Sequence, residues 1–185
     1  MKTILPLVLL AFAAAPAGAE VLSLSAPGTA GGFFDVFVNL TNVFDAPHDS
    51  DFFLGYGFDV SFDASVLSYA GETAGPLFDD ISGNAGITAQ VAGVATNVLL
   101  GPGDFTEPLN LAVLHFGVTG VGPTTIRISG DTANLDQGLI YLSGSDAISA
   151  SVSVNALPEP NMGWLVGLGV ALLAWQAWRP TLQNR

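Results

Sequence analysis

Phe52-Phe53-Leu54-Gly55-Tyr56-Gly57-Phe58-Asp59-Val60-Ser61-Phe62-Asp63-Ala64-Ser65-Val66-Leu67 is the stretch on which the fold turns. One parity reads Phe52, Leu54, Tyr56, Phe58, Val60 and Phe62; the other reads Phe53, Gly55, Gly57, Asp59, Ser61 and Asp63. Successive side chains of a strand point to opposite faces, so a period of two with one apolar parity predicts a half-buried strand resting on a core.

The alternation recurs on either side. Phe34, Val36, Val38 and Leu40 alternate with Phe33, Asp35, Phe37 and Asn39, and Ile126 and Ile128 flank Arg127. Ile148, Ala150, Val152 and Val154 alternate with Ser149, Ser151, Ser153 and Asn155. Turn signals such as Ala30-Gly31-Gly32, Gly101-Pro102-Gly103-Asp104 and Gly120-Val121-Gly122-Pro123 punctuate these runs. No stretch between the two ends keeps helical spacing. Eight or nine short strands predict an all-β fold, an antiparallel sandwich or jelly roll. Residues 20–156 have the length of one ordinary domain, enough to bury a core.

The ends carry a different signal. Lys2, the apolar run Ile4 to Ala15 and the small-residue site Ala17-Gly18-Ala19 predict a signal peptide over residues 1–19, with Glu20 as first residue after cleavage. Pro6 and Pro16 interrupt a run already too short to span a bilayer. At the other end, Pro158-Glu159-Pro160 precedes the apolar run Met162 to Trp178. From Gly163 that run holds no charge, and as a helix it reaches about 24 Å, near the lower limit for a membrane span. Trp164 lies at one end and Trp175 and Trp178 at the other, where indoles favour the headgroup region. Arg179 and Arg185 follow on what is then the cytoplasmic side, which puts the domain outside.

A signal peptide, an exported domain, a Pro-Glu-Pro triplet, one hydrophobic helix and a terminal arginine resemble the PEP-CTERM proteins of Gram-negative bacteria. The resemblance implies that residues 157–185 are a sorting signal with a transmembrane helix over about 162–178, read by the membrane enzyme exosortase. It further implies that Pro158, Glu159 and Pro160 are the recognition and processing motif. Family members pack several arginines directly after the helix; here Pro180 to Asn184 separate Arg179 from Arg185.

The domain has a resemblance of its own. An early Phe-x-Val-x-Val strand, the run Leu54 to Leu67 and then Leu111-Ala112-Val113-Leu114-His115-Phe116-Gly117-Val118 resemble the cohesin-like sandwich, with Ala64 where that pattern has a proline after Asp63. Cohesin-like domains are binding modules, related in shape to cellulose-binding modules, that hold dockerins in cellulosomes.

Composition narrows the function. The chain has no cysteine, so packing or bound ions must stabilise it. Residues 20–156 hold 15 acids against one base, Arg127, a formal charge of −14. That balance disfavours nucleic acid and suits divalent cations, a basic partner or plain solubility. Asp45, His48, Asp49 and Asp51 fall within seven residues of a predicted loop that could hold Ca²⁺ or simply be solvated. Asp49-Ser50-Asp51 lacks the glycine and distal glutamate of a helix-loop-helix calcium loop. Asp79-Asp80 and the loop from Asp131 to Asp136 read as solvated acids.

Catalytic motifs are missing: there is no G-x-S-x-G elbow, H-E-x-x-H helix, phosphate loop or cysteine nucleophile. His115 stands in an apolar strand, on the parity of Leu111 and Val113, and reads as a hydrogen-bonded structural histidine. Asp59 and Asp63 would lie about 13 Å apart on one strand face, too far for paired glycosidase carboxylates. Phe33, Phe37 and Phe53 fall on the less buried parity and could form an aromatic platform for sugars, although all three tryptophans are in the tail. The expectation is a non-enzymatic exported protein of the cell envelope or extracellular matrix. Its partners would be exosortase during sorting, the membrane through its helix, and an extracellular polysaccharide or protein. A carbohydrate-binding or dockerin-type docking module stays open, as does an enzyme whose cleft would need perturbed carboxylates.

Overall fold

A computed structural model describes residues 20–97, 99–157 and 169–175. Among these residues there are twelve strands: β1 (Val21–Ser25), β2 (Thr29–Ala30), β3 (Phe33–Thr41), β4 (Phe53–Ser61), β5 (Leu67–Ala74), β6 (Phe78–Asp80), β7 (Val91–Ala95), β8 (Leu109–Val118), β9 (Gly122–Gly130), β10 (Gly138–Tyr141), β11 (Ser145–Asp146) and β12 (Ile148–Ala156). Nine of them have four residues or more. They form two sheets. One has the order β1-β3-β8-β5; the other runs β11-β10-β4-β9-β12-β2, with β7 also paired to β4 and β6 to β7. Every pairing is antiparallel except the short parallel one between β2 and β12.

The inner faces of both sheets supply one core. Val36, Val38 and Leu40 of β3, Leu114 and Phe116 of β8, Ile126 and Ile128 of β9 and Tyr56 and Phe58 of β4 are all buried in a single cluster. The alternation in β3, β9 and β12 emerges as expected, with inward positions more buried than the outward ones between them, although Phe33 and Phe37 are among the outward residues of β3.

In β4 and β8 the parity read from the sequence shifts part-way, and a β-bulge is the cause in each. In β4, Tyr56 faces Leu139 and Gly55 faces Ile140, but Phe53 faces Tyr141, which leaves Leu54 as an extra residue. An extra residue reverses the parity beyond it. Phe53 is therefore fully buried while Phe52 is exposed, the opposite of the simple period-two assignment. In β8, Val38 faces Ala112 and Asn39 faces Asn110, so Leu111 is the extra residue. Leu109 and Leu111 on one side of the bulge and Ala112, Leu114 and Phe116 on the other all reach the core. His115 consequently faces outward and does not share the parity of Leu111.

Residues 169–175 are helical and exposed. No helix among the described residues is long and apolar enough to cross a membrane. The signal peptide with Ala17 and Ala19, the motif Pro158, Glu159 and Pro160, and Trp164, Trp178 and Arg179 lie outside the described residues, as does most of the segment 162–178; Trp175 closes the described helical turn.

Candidate functional site

The loop between β3 and β4 is built by a succession of turns. Asp45 donates its N–H to the Asn42 carbonyl at 3.2 Å, His48 to Asp45 at 2.7 Å and Asp51 to His48 at 3.1 Å. Asn42 takes a left-handed φ of 58°, a conformation asparagine tolerates. The carboxylate of Glu107 accepts the N–H groups of Asn42 and Val43 at 2.9 and 3.0 Å, which pins the start of the loop.

This loop delivers His48 into the molecule, where it is only 5% exposed. Its ring stacks on Tyr141 of β10 with centroids 3.8 Å apart and planes 4° from parallel. Nδ1 lies 3.0 Å from Asp51 Oδ2, and Nε2 lies 2.7 Å from Asp146 Oδ2 and 3.8 Å from Glu20 Oε1. Burial opposes the imidazolium. The hydrogen bonds to Asp51 and Asp146 and the charges of Asp146 and Glu20 outweigh it and raise the His48 pKa above its ordinary value.

Asp51 is shaped by the same contacts. Desolvation would raise its pKa, but hydrogen bonds from the Ser143 hydroxyl, the Phe52 N–H, His48 and the Ser143 N–H hold it down at about 2. Burial foremost, then the charges of Glu20, Asp146 and Asp51, push the Tyr141 phenol up; its hydroxyl donates to the Val43 carbonyl at 3.0 Å. Of the proposed calcium residues, Asp51 has its oxygens filled by these donors, Asp45 is half-buried beside its turn, and Asp49 is exposed. Asp49 and Asp51 line a shallow cavity with Pro47, Ser50 and Ser143. Among the described residues, the cluster able to offer three ligand atoms within 4.8 Å of one another is instead Glu20, His48 and Asp146.

A second constellation lies on the outer face of the sheet β1-β3-β8-β5. Phe33 is 84% exposed and Phe37 46% exposed, while Phe53, placed with them by simple parity, is in the core. Between the two exposed rings, Asp35 stands opposite His115. His115 Nδ1 is 2.8 Å from Asp35 Oδ1, and its Nε2 is 2.9 Å from Thr73 Oγ1 on β5. Hydroxyl, imidazole and carboxylate thus follow the order of a nucleophilic triad. They stand on an open sheet face, and β8 spends its N–H groups on neighbours at both sides, so the geometry fits a cross-strand brace.

Several other acids serve turns and loop contacts. Asp63 accepts the Ser65 N–H and hydroxyl at 2.9 and 2.6 Å. Asp59 accepts Gln90 N–H at 3.0 Å and Gln137 Nε2–H at 3.1 Å. Asp131 accepts the Ala133 N–H at 2.9 Å. Asp136 accepts the Thr88 and Ala89 N–H groups and the Thr88 hydroxyl. Glu20, Ser143 and Asp146 were invisible as partners of His48 because only the tertiary fold brings them together. Thr73 and Asp35 meet His115 through strand register alone.

Neither a protein-family model nor a curated protein matches this sequence. Among solved structures, the cohesin module from the Clostridium perfringens ATCC13124 family 33 glycoside hydrolase is similar, with a TM-score of 0.52 at 9% sequence identity. The match covers 77% of this chain and 98% of that one. At this identity the likeness is one of fold: the domain is a cohesin-like β-sandwich.

Proposed function

We propose that this chain is an exported, non-enzymatic binding protein of the bacterial cell surface or extracellular matrix. Its sandwich docks a protein partner through the outer face of the β1-β3-β8-β5 sheet, and its C-terminal segment directs sorting. The observation that supports docking most directly is the pair of exposed rings, Phe33 and Phe37, on one face of β3. Exposed apolar groups gathered on a face rimmed by polar residues mark interaction sites more often than singly scattered ones do. The half-exposed Val113 lies beside Phe37, and the Asp35–His115 pair separates the rings. With 15 acids against one base over residues 20–156, the fitting partner presents an apolar patch with a basic rim. The cohesin-like fold is in keeping with a docking role.

Sorting rests on the sequence: Pro158-Glu159-Pro160, the apolar segment 162–178 and Arg179 resemble the signal that exosortase reads. A second reading, binding of extracellular polysaccharide, draws on the same two rings, which stand about 13 Å apart along the strand and could stack on sugars.

Retention of the exported protein on the producer's extracellular matrix, compared between wild type and the Phe33→Ser/Phe37→Ser variant, tests the face. A central aromatic anchor is worth about 2 kcal/mol or more, so retention should fall at least about tenfold while the melting temperature stays unchanged. Loss of retention after protease treatment of the matrix would assign the partner to protein. Equal retention on protein-free polysaccharide would favour the sugar reading, and equal retention of both variants would reject the face.

A further inference from the structure

The His48 cluster holds more than a fold needs to stabilise a loop. Asp51 accepts from Nδ1 of the imidazole and is itself fixed by Ser143 and the Phe52 N–H. With the proton on Nδ1, the Nε2 lone pair points toward Asp146 and Glu20. A carboxylate behind a histidine in this way is the usual support for a metal-bound imidazole. The Oε1 atom of Glu20 is shielded from solvent and accepts no hydrogen bond. A buried carboxylate oxygen without a donor is costly, and a cation removes that cost.

The spacing also fits. Ligand atoms bound at about 2.0–2.1 Å around a tetrahedral ion stand roughly 3.3 Å apart. The separations from His48 Nε2 are 2.7 Å to Asp146 Oδ2 and 3.8 Å to Glu20 Oε1, so a shift of about half an ångström in each carboxylate brings both to that distance from the imidazole, and all three ligand atoms lie within 4.8 Å of one another. Asp146 is 42% exposed at its side chain and free to make the adjustment. A cavity of about 150 Å³, lined by Glu20, Asp146, Leu22, Leu139 and Ile148, opens beside the cluster and has room for a water ligand.

We propose that Glu20, His48 and Asp146 bind a first-row divalent transition metal of the Zn²⁺ class, with a fourth position open to the cavity. One imidazole nitrogen and two carboxylate oxygens suit Zn²⁺ better than Ca²⁺, which takes oxygen ligands. The metal ties the chain just before β1, the β3–β4 loop and β11 into one unit, a cross-link for a chain with no cysteine.

Untagged full-length protein, exported and purified in detergent, is titrated with Zn²⁺, with Ca²⁺ and Mg²⁺ in parallel. One Zn²⁺ per chain should bind, raising the melting temperature by about 10 °C at a hundredfold excess over Kd. X-ray absorption should show nitrogen and oxygen ligands at about 2.0–2.1 Å. Glu20→Gln and Asp146→Asn should each weaken binding at least tenfold. Both variants keep the His48–Tyr141 stack, and their melts in chelator establish that they are folded. Absence of Zn²⁺ binding, a Ca²⁺ response equal to that of Zn²⁺, or stoichiometric Zn²⁺ binding undiminished in both folded variants would overturn the assignment.

Discussion

Asp136 shows how much a single carboxylate can organise when it sits between two loops. It accepts the Thr88 and Ala89 N–H groups and the Thr88 hydroxyl, and so joins the loop before β7 to the loop between β9 and β10. Gly57 lies beneath it for a steric reason: a Cβ there would stand 1.8 Å from the Asp136 carbonyl oxygen. The backbone and side-chain hydrogen bonds from Thr88, then that from Ala89, lower the Asp136 pKa below its ordinary 3.8. A depressed folded pKa means that the unfolded chain binds the proton more readily, so the contribution is fully present well above 3.8 and is lost as pH falls through the folded value. Asp136→Asn removes that linkage. The variant should be less stable than wild type at pH 7, with the difference shrinking in acid below 3.8; parallel denaturant melts from pH 7 to pH 2 check this, and a constant difference would refute it. Little of this was legible in advance, because the run from Asp131 to Asp136 reads as solvated acids until the fold supplies Thr88. The same holds for His48: the local sequence offers Asp45, Asp49 and Asp51, whereas two of its close acidic neighbours, Glu20 and Asp146, come from outside that loop.

At the scale of elements, periodicity carried the fold and bulges limited it. The alternation from Phe33 to Leu40 and from Ile148 to Asn155 predicted faces that the structure keeps, because those stretches meet their core with little interruption. Leu54 in β4 and Leu111 in β8 each add one residue opposite the partner strand, and nothing in their chemistry announces it. The consequences reach the candidate surfaces, since one bulge withdraws Phe53 from the aromatic platform and the other turns His115 outward. The inner and outer faces of this sheet should therefore respond very differently to mutation. Phe34 stacks on Phe116 at 5.8 Å, and Phe116 also meets Phe62 at 5.3 Å and Tyr69 at 5.5 Å, whereas Phe33 faces Gly117 from the open side. Phe116→Ala should cost about 3–5 kcal/mol and Phe33→Ala no more than about 0.5 kcal/mol in urea-melt stability. Similar losses at the two sites would mean that the outer sheet face is covered in the native protein.

For the whole molecule, the described domain closes on itself before the tail begins. β12 ends at Ala156 and pairs along its length with β9, and its last residues also pair with β2. The Leu157 N–H still reaches the Ala30 carbonyl at 2.8 Å, one residue before Pro158. Deleting residues 162–185 removes none of the twelve described strands and no residue of the described core cluster. The truncated protein should still fold, since every strand of the two described sheets and the core between them lie before residue 157. Its destination should change. With the apolar segment gone, no run of comparable hydrophobic length follows residue 20, and the domain should appear in the medium instead of the membrane fraction. Glu159→Ala alone separates tethering from processing. It leaves the apolar segment intact, so the protein should still reach the membrane but keep the electrophoretic mobility of the unprocessed chain. Membrane association that survives the deletion would place the anchor in the sandwich itself, and normal maturation of Glu159→Ala would remove Glu159 from the sorting motif.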